Sequence, residues 1–543
     1  MKRRTDIDFL SQKTFDLIII GGGITGAGIF QEAALRGYSC LLLEKGDFAS
    51  GTSSKSAKLI HGGIRYLKYG KIGLIKESLE ERNHLLKTYP HLVKPLPFLF
   101  PVYDSTFKYR VGMAIYHFLS NEETLPEYRY IEADEIIRIF PAIYSEGLKG
   151  GFIYFDAITN DARLCNEVID DAQKISGNHA VNYCEVLSLE RSEQQTRIKS
   201  HDHIDNIDRT FHARCIINAS GVWTDEVLKR VAQKQTNFSA PSKGVHLVFS
   251  KKRFPCENAI IIPSYADDTR LNYSVPWEND SVIIGTTDTD YIGNLNNPVS
   301  EERDVEYLLR SLQKFAPSLN ITQRDILHIY SGLRPMYNES APSYERSRDY
   351  RIWWEEANIL NILGGKLTSY HSMAESLVDE LAKKFSSEKK PKETQHIKQS
   401  SQFSDLPHTF TESIRERFLE KSSELFSIAH ENKKNTELLH PDFNATVAEV
   451  IYYIRNIQCY HLADLMGRRL SLTYVLFGCK EKDAVIEKVA ELMKIECGWS
   501  DDEYASEIKI YSALLEASPR PTPKEKESEQ FRSDKEQIRI SKC

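Results

Sequence analysis

The chain has no run of the roughly 18 apolar residues that a bilayer span needs, so no membrane-crossing helix is expected. Met1 to Thr14 is polar and charged and lacks the apolar centre of a secretory signal. There is no basic excess: the formal net charge is −7. That argues against a nucleic-acid surface and obliges any anionic ligand to find locally concentrated positive charge. Nine cysteines occur, an odd number, widely spaced and without a C-x-x-C. Neither a disulfide framework nor a zinc site is expected from them, and scattered reduced thiols of a cytoplasmic protein are the simpler reading. A calcium loop of the D-x-D-x-D-G type is missing too, as is any internal repeat.

What is present divides unevenly. Residues 1–14 read as a flexible arm and residues 15–385 as an α/β body. Phe15 to Glu44 runs strand, glycine turn, helix, strand. A Ser/Gly-rich loop and a charged helix near Lys76 to Leu86 follow. From about 145 to 365 strand-like segments dominate, among them GFIYFD, CIINAS, VHLVFS, NAIIIP, SVIIGTTD and NILNILGG. Residues 386–404, rich in Ser, Lys and Gln, read as a linker. Residues 405–516 carry the helical apolar period, and 517–543 form a charged tail expected to be disordered.

The turn Gly21-Gly22-Gly23-Ile24-Thr25-Gly26 fits G-x-G-x-x-G. Gly21 permits the tight turn, Gly23 lets backbone approach a pyrophosphate, and Gly26 lets helix pack on strand. The helix start offers N–H groups and a positive dipole end to phosphate. Glu44 closes the second strand, placed to take a ribose hydroxyl and to disfavour a 2′-phosphate. Strand, turn, helix and acid together predict a dinucleotide site, but FAD and NAD share this motif.

GTSSKSAKLIHGGIRYL at 51–67, with the glycine turn before it, closely resembles the FAD-dependent glycerol-3-phosphate dehydrogenase family. NDARL at 160, NASGVWTD at 218, KGVHLVF at 243, IIGTTDTDY at 283, YSGLRPM at 330, SRDY at 347 and GGKLTSY at 364 follow in that family's order. The likeness spans Phe15 to Trp499. His371 stands where the family pattern has Arg, and Phe30 and Glu32 replace its Ala and Asp in the first helix.

The resemblance implies an α/β fold of the glutathione-reductase/D-amino-acid-oxidase type: a Rossmann-like FAD domain built from discontinuous segments, an interleaved substrate sheet and a C-terminal all-α domain. It implies oxidation of sn-glycerol 3-phosphate to dihydroxyacetone phosphate, with hydride passing from C2 to flavin N5 and electrons going on to a quinone. A homodimer is expected, in the cytoplasm or peripheral on the inner face of the membrane. Arg110 to Leu119 is a candidate amphipathic surface helix, with packing against the core weighed slightly ahead.

Flavin oxidation of a secondary alcohol needs a base for the hydroxyl proton and cations for the phosphate and the developing oxyanion. The resemblance places Arg65, Tyr66, Arg334, Arg348 and Lys366 at the substrate. Arg binds phosphate bidentately and Lys adds a point charge, each charged hydrogen bond contributing roughly 1.5–3 kcal/mol. Arg334 is a candidate for polarising the C2 oxygen, and Thr286 and Thr287 for shaping the substrate side. His61, beside glycines, and His246, opening an apolar strand, compete as the base, although a strand His is more often a core residue.

For the cofactor, Thr52, Ser53 and Ser54 are candidate donors to the pyrophosphate or ribitol. Lys58, Leu59, His61 and Gly62 continue that loop. Ala219 and Gly221 end a strand where close approach is possible. Gly364, Gly365, Leu367 and Thr368 form a second turn before a helix, facing the flavin O2 region. Three alternatives stay open: an oxidase passing electrons to oxygen, an amine or amino-acid oxidase, and a non-catalytic FAD-binding scaffold with a docking module.

Overall fold

A computed structural model describes residues 7–64, 67, 70–120, 125–191, 196–266, 270–339, 346, 348–356, 358–385 and 406–517. The expected linker at 386–404 and all but the first residue of the expected tail lie outside them, as do Arg65 and Tyr66.

The apolar run TFDLIII forms strand Thr14–Ile20 at the centre of a sheet. Five parallel strands run in the order Ile359–Gly364, Ile207–Asn218, Thr14–Ile20, Cys40–Leu43 and His179–Val181. They come from three separate parts of the chain. A sheet covered on both faces needs continuous apolar strands, and CLLL is buried at every position. Helix Ile24–Leu35 packs over this sheet and beneath helices Asp161–Gln173 and Tyr370–Phe385. Its approach to the first strand depends on Gly26, where a Cβ would stand 1.9 Å from the Gly21 carbonyl oxygen.

The second, ten-stranded sheet is almost wholly antiparallel. Strand Ser242–Ser250 lies inside it, between Ser281–Gly285 and Ile326–Arg334. Its odd residues Val245, Leu247 and Phe249 pack under helix Glu302–Phe315. Alternation then turns Gly244, His246 and Val248 to the other face, toward the cavity described below and the C-terminal helices. One strand escapes sequence patterning: Val93–Val102 carries Pro95, Pro97 and Pro101 yet pairs along its length with Gly150–Thr159. The prolines are two and four apart, so their missing N–H groups fall on one edge. There the neighbouring strand meets only Phe98 and Leu99.

Helices from His408 to Ala517 form the C-terminal module. It is tied to the body by buried charge. Arg469 donates to both oxygens of Asp47, at 2.8 and 2.9 Å, with both side chains fully buried. Arg468 donates to the same carboxylate. Lys421 pairs with Glu167 and Asp170 at 2.8 and 2.6 Å. Removing one partner of a buried pair strands the other charge without water. Asp47→Leu, which leaves the fully buried Arg469 without its carboxylate, is therefore expected to cost about 3 kcal/mol or more, read as a lowered midpoint in chemical denaturation followed by far-UV circular dichroism.

Candidate active site

A cavity of about 750 Å³ runs between the two sheets, a size suited to a cofactor with its substrate. At one end lies the glycine turn. Gly23 precedes helix Ile24–Leu35 without any side-chain cap, so the dipole end faces the cavity. Ser53 Oγ accepts from the Ile24 N–H at 2.8 Å, leaving the serine proton free for an anion. The Glu44 carboxylate accepts from the N–H groups of Gly22 and Gly46 at 2.7 and 2.8 Å. Burial raises its pKa, against the pull of those two donors, and each oxygen keeps a second lone pair for a ribose hydroxyl.

At the other end the cations gather. Arg334 ends strand Ile326–Arg334 and donates to Thr286 Oγ1 and the Thr287 carbonyl, both at 3.1 Å. Arg348 donates to Asp288 at 2.6 Å, and the same carboxylate lies 3.5 Å from Arg334. Gly244 makes room for this arrangement, since a Cβ there would meet the Arg334 guanidinium at 2.4 Å. Lys366 follows the left-handed turn Gly364-Gly365 and donates to Ser78 at 3.2 Å. Burial pushes its amine down to about 8, against the raising influence of Glu77 and Asp349.

His61 and His246 both line the cavity. The His61 backbone N–H donates to Thr368 Oγ1. His246 is buried and stacked on Tyr330 at 4.7 Å, and neither ring nitrogen has a hydrogen-bond partner. Burial, reinforced by Arg334 and Lys58, holds it well below the ordinary histidine value. A neutral ring with unmet nitrogens is able to accept a proton, which an ordinary core histidine with satisfied nitrogens is not.

Residues 16–374 match the FAD dependent oxidoreductase family, and residues 358–504 match the C-terminal domain of alpha-glycerophosphate oxidase. The chain is 31% identical over 549 residues to a glycerol-3-phosphate dehydrogenase of Synechocystis, covering 94% of this chain and 98% of that one. It is 32% identical over 542 residues to an aerobic glycerol-3-phosphate dehydrogenase of Staphylococcus aureus, covering 93% and 94%. Its structure resembles that of the glycerol-3-phosphate dehydrogenase of Bacillus halodurans complexed with FAD, at TM-score 0.74 and 26% identity over 94% and 96% of the chains. The chain belongs to the FAD-dependent glycerol-3-phosphate dehydrogenase family.

As a member of that family it uses FAD, and the residues at the cavity suit this cofactor. Gly21, Gly23, Ile24, Thr25 and Glu44 line it at the turn; Ala219 and Gly221, at the end of the adjacent parallel strand, lie beside Gly21; Gly365, Leu367 and Thr368 follow the next strand, and Thr52, Ser53 and Leu59 complete the lining. Gly26 acts from beneath, through packing.

Several sequence expectations are redirected. Lys58 is no cofactor contact: it is buried and donates to Asp161 at 2.7 Å, the Ser54 carbonyl at 2.6 Å and Tyr474 at 3.3 Å. The Thr52 hydroxyl donates to the Leu333 carbonyl at 2.6 Å, and Ser54 is buried against Gly51, so of the three hydroxyls that of Ser53, which accepts from the Ile24 N–H, is the one placed to donate into the cavity. Thr287 is buried with its hydroxyl accepting from the Val245 N–H at 3.0 Å; its neighbour Thr286 reaches the cavity. Gly62 is required by packing, because a Cβ would meet Leu79 at 2.4 Å and the Tyr116 hydroxyl at 2.6 Å, while Gly63 faces the cavity. Asp288 and Ser78, which order Arg348 and Lys366, went unread: a lone Asp or Ser beside a strand or on a charged helix gives no signal of its own.

Proposed function

We propose that this protein oxidises sn-glycerol 3-phosphate at C2 to dihydroxyacetone phosphate and passes the electrons to a membrane quinone. The observation that carries the reading is the convergence of Arg334, Arg348 and Lys366 on the cofactor cavity of a protein whose net charge is −7. Bound FAD supplies the hydride acceptor. The chain's own residues do the rest. Arg348 and Lys366 hold the phosphate dianion, and Arg334 stabilises charge growing on the C2 oxygen, a type of donor whose removal costs about 2.7–4 kcal/mol in other enzymes. His246 takes the hydroxyl proton from a dry wall, with His61 as the competing base. Arg65 and Tyr66, outside the described residues, belong to the same proposed substrate set. The number and kind of cations argue against an amine or amino-acid substrate, which would need one carboxylate-binding Arg.

Helix Thr106–Ser120 supports a membrane-held acceptor. The sequence favoured packing of this segment against the core, but the structure turns Phe107, Val111, Ile115 and Phe118 outward along one face, with Phe118 81% exposed. Lys108 and Arg110 stand among them, as suits anionic lipid headgroups. The helix also seats on the His61 loop: the Tyr116 hydroxyl donates to Asp156, which accepts the Gly62 N–H. This face favours a membrane-held acceptor over dioxygen.

Anaerobic addition of sn-glycerol 3-phosphate to purified holoprotein is expected to bleach the visible flavin band. Yellow protein that stays yellow would overturn the reading. The Lys366 amine is charged below about 8 and neutral above it. KM should therefore rise as pH climbs through that value, and Lys366→Arg should carry the rise to higher pH. Phe107→Asp with Phe118→Asp is expected to abolish sedimentation with anionic vesicles while flavin bleaching by the substrate is unchanged.

A further inference from the structure

The C-terminal module contains a side-chain cluster that the redox reading does not use. His440 Nε2, Cys479 Sγ and one oxygen of Glu481 all lie within 4.8 Å of one another. The separations are 3.8 Å for His440–Cys479, 3.5 Å for His440–Glu481 and 3.9 Å for Cys479–Glu481. The nitrogen–oxygen distance exceeds the roughly 2.7–3.2 Å of an N–H···O hydrogen bond. A point equidistant from the three atoms lies about 2.2 Å from each, within the span of Zn–N, Zn–O and Zn–S bonds.

We propose that His440, Cys479 and Glu481 bind one zinc ion, with water completing the tetrahedron. The donor set is imidazole, thiolate and carboxylate, which suits a borderline-soft cation. Glu481 is 61% exposed, so the fourth position opens to solvent. A catalytic cysteine dyad does not explain the whole cluster. A dyad needs only the thiol on Nε2 and an orienting carboxylate near Nδ1, and it leaves Glu481, which shares Nε2 with Cys479, without a part. Nδ1 faces Asp442, accepting its backbone N–H at 3.2 Å and lying 3.8 Å from its carboxylate.

Binding balances in charge and protons. The Cys479 thiol proton leaves to solvent, and zinc on Nε2 requires the His440 ring proton on Nδ1, which gives up the hydrogen bond that Nδ1 accepts from the Asp442 backbone N–H. There the Asp442 carboxylate can accept that proton, as the outer partner that zinc-bound histidines use. Thiolate and Glu481 together neutralise the dication.

The ion would staple two segments that sequence separates. The His440 loop reaches the substrate sheet through the Asn444 N–H, which donates to Asn279 at 3.0 Å. Gly478, next to Cys479, packs beside Leu327 on the strand that ends in Arg334. The role is structural, and it stands independently of the assigned redox reaction.

The test uses holoprotein stripped with a chelator, passed through a desalting column and titrated with Zn²⁺ against a chromophoric chelator. Wild type is expected to retain about one equivalent and to gain thermal midpoint with zinc. Co²⁺ in its place should show a thiolate charge-transfer band and tetrahedral d–d bands to the red of the flavin. Cys479→Ser and His440→Gln should lose the equivalent, the bands and the thermal gain at unchanged flavin content. If either variant fails to fold, Glu481→Gln, at an exposed side chain, decides by weakening affinity at least about tenfold. Wild type without retained zinc overturns the site, as does retention equal in wild type and variants.

Discussion

The buried carboxylate of Asp47 is the point on which the architecture turns. Burial works against its charge, yet Arg469 and Arg468 hold it below the ordinary carboxylate value. Both arginines come from the C-terminal module, while Asp47 sits three residues after Glu44 in the loop that leaves the second parallel strand. That loop continues to Ser53, whose hydroxyl meets the helix start at the glycine turn. An isolated loop of this kind would cost backbone entropy to hold still. Here the module supplies two guanidinium groups that fix it from behind, so the nucleotide end of the cavity and the C-terminal helices cannot be described as separate parts.

A second strut has the same logic. Lys58 joins Asp161, Ser54 and Tyr474, linking the cofactor loop, helix Asp161–Gln173 and the module in one buried knot. Burial alone would depress the lysine, but Asp161 lifts it above its ordinary value, so it remains a cation in the interior. Such pairs contribute little net stability compared with an apolar filling. What they do supply is direction. Each donor has one acceptor geometry, and this fixes where the neighbouring Ser53, Leu59 and His61 stand along the cavity wall.

This division explains what could be read from the residues alone. The glycine turn and the apolar strands are local patterns, so they were legible; Arg334 and Lys366 stood out beside Gly or Pro at strand ends, whereas Arg348, in a polar stretch, was carried only by the family resemblance. Lys58 was misassigned because its partners lie 103 and 416 positions away. Thr286 and Thr287 are adjacent and alike, and only the strand register tells which hydroxyl meets Val245 and which meets Arg334. The prolines of Val93–Val102 suppressed a strand that its partner imposes. The apolar face of Thr106–Ser120 has ordinary helical spacing, and whether such a face points inward depends on neighbours that no local window contains. His440, Cys479 and Glu481 escaped for the same reason, since no short spacing links the histidine to the other two.

The electrostatics of the proposed substrate end carry one further consequence. Two arginines share Asp288, one by a hydrogen bond of 2.6 Å and one at 3.5 Å. An unshared pair of guanidinium groups in a partly dry cavity would repel each other and pay a desolvation cost with no counter-charge. Asp288 removes that penalty before any ligand arrives, at the expense of one unit of the positive charge the ligand would feel. Lys366, beyond the strand that pairs with the one Arg348 precedes, restores that unit, and its burial lowers its amine to about 8. Three cations against the one Asp288 carboxylate leave this end of the cavity with a local positive excess before phosphate arrives. The three cations line one volume with Asp288 among them. Local rather than total charge is then what lets a chain of net charge −7 hold a dianion, and it requires the guanidinium planes to be fixed by the Thr286 hydroxyl, the Thr287 carbonyl and the space that Gly244 leaves open.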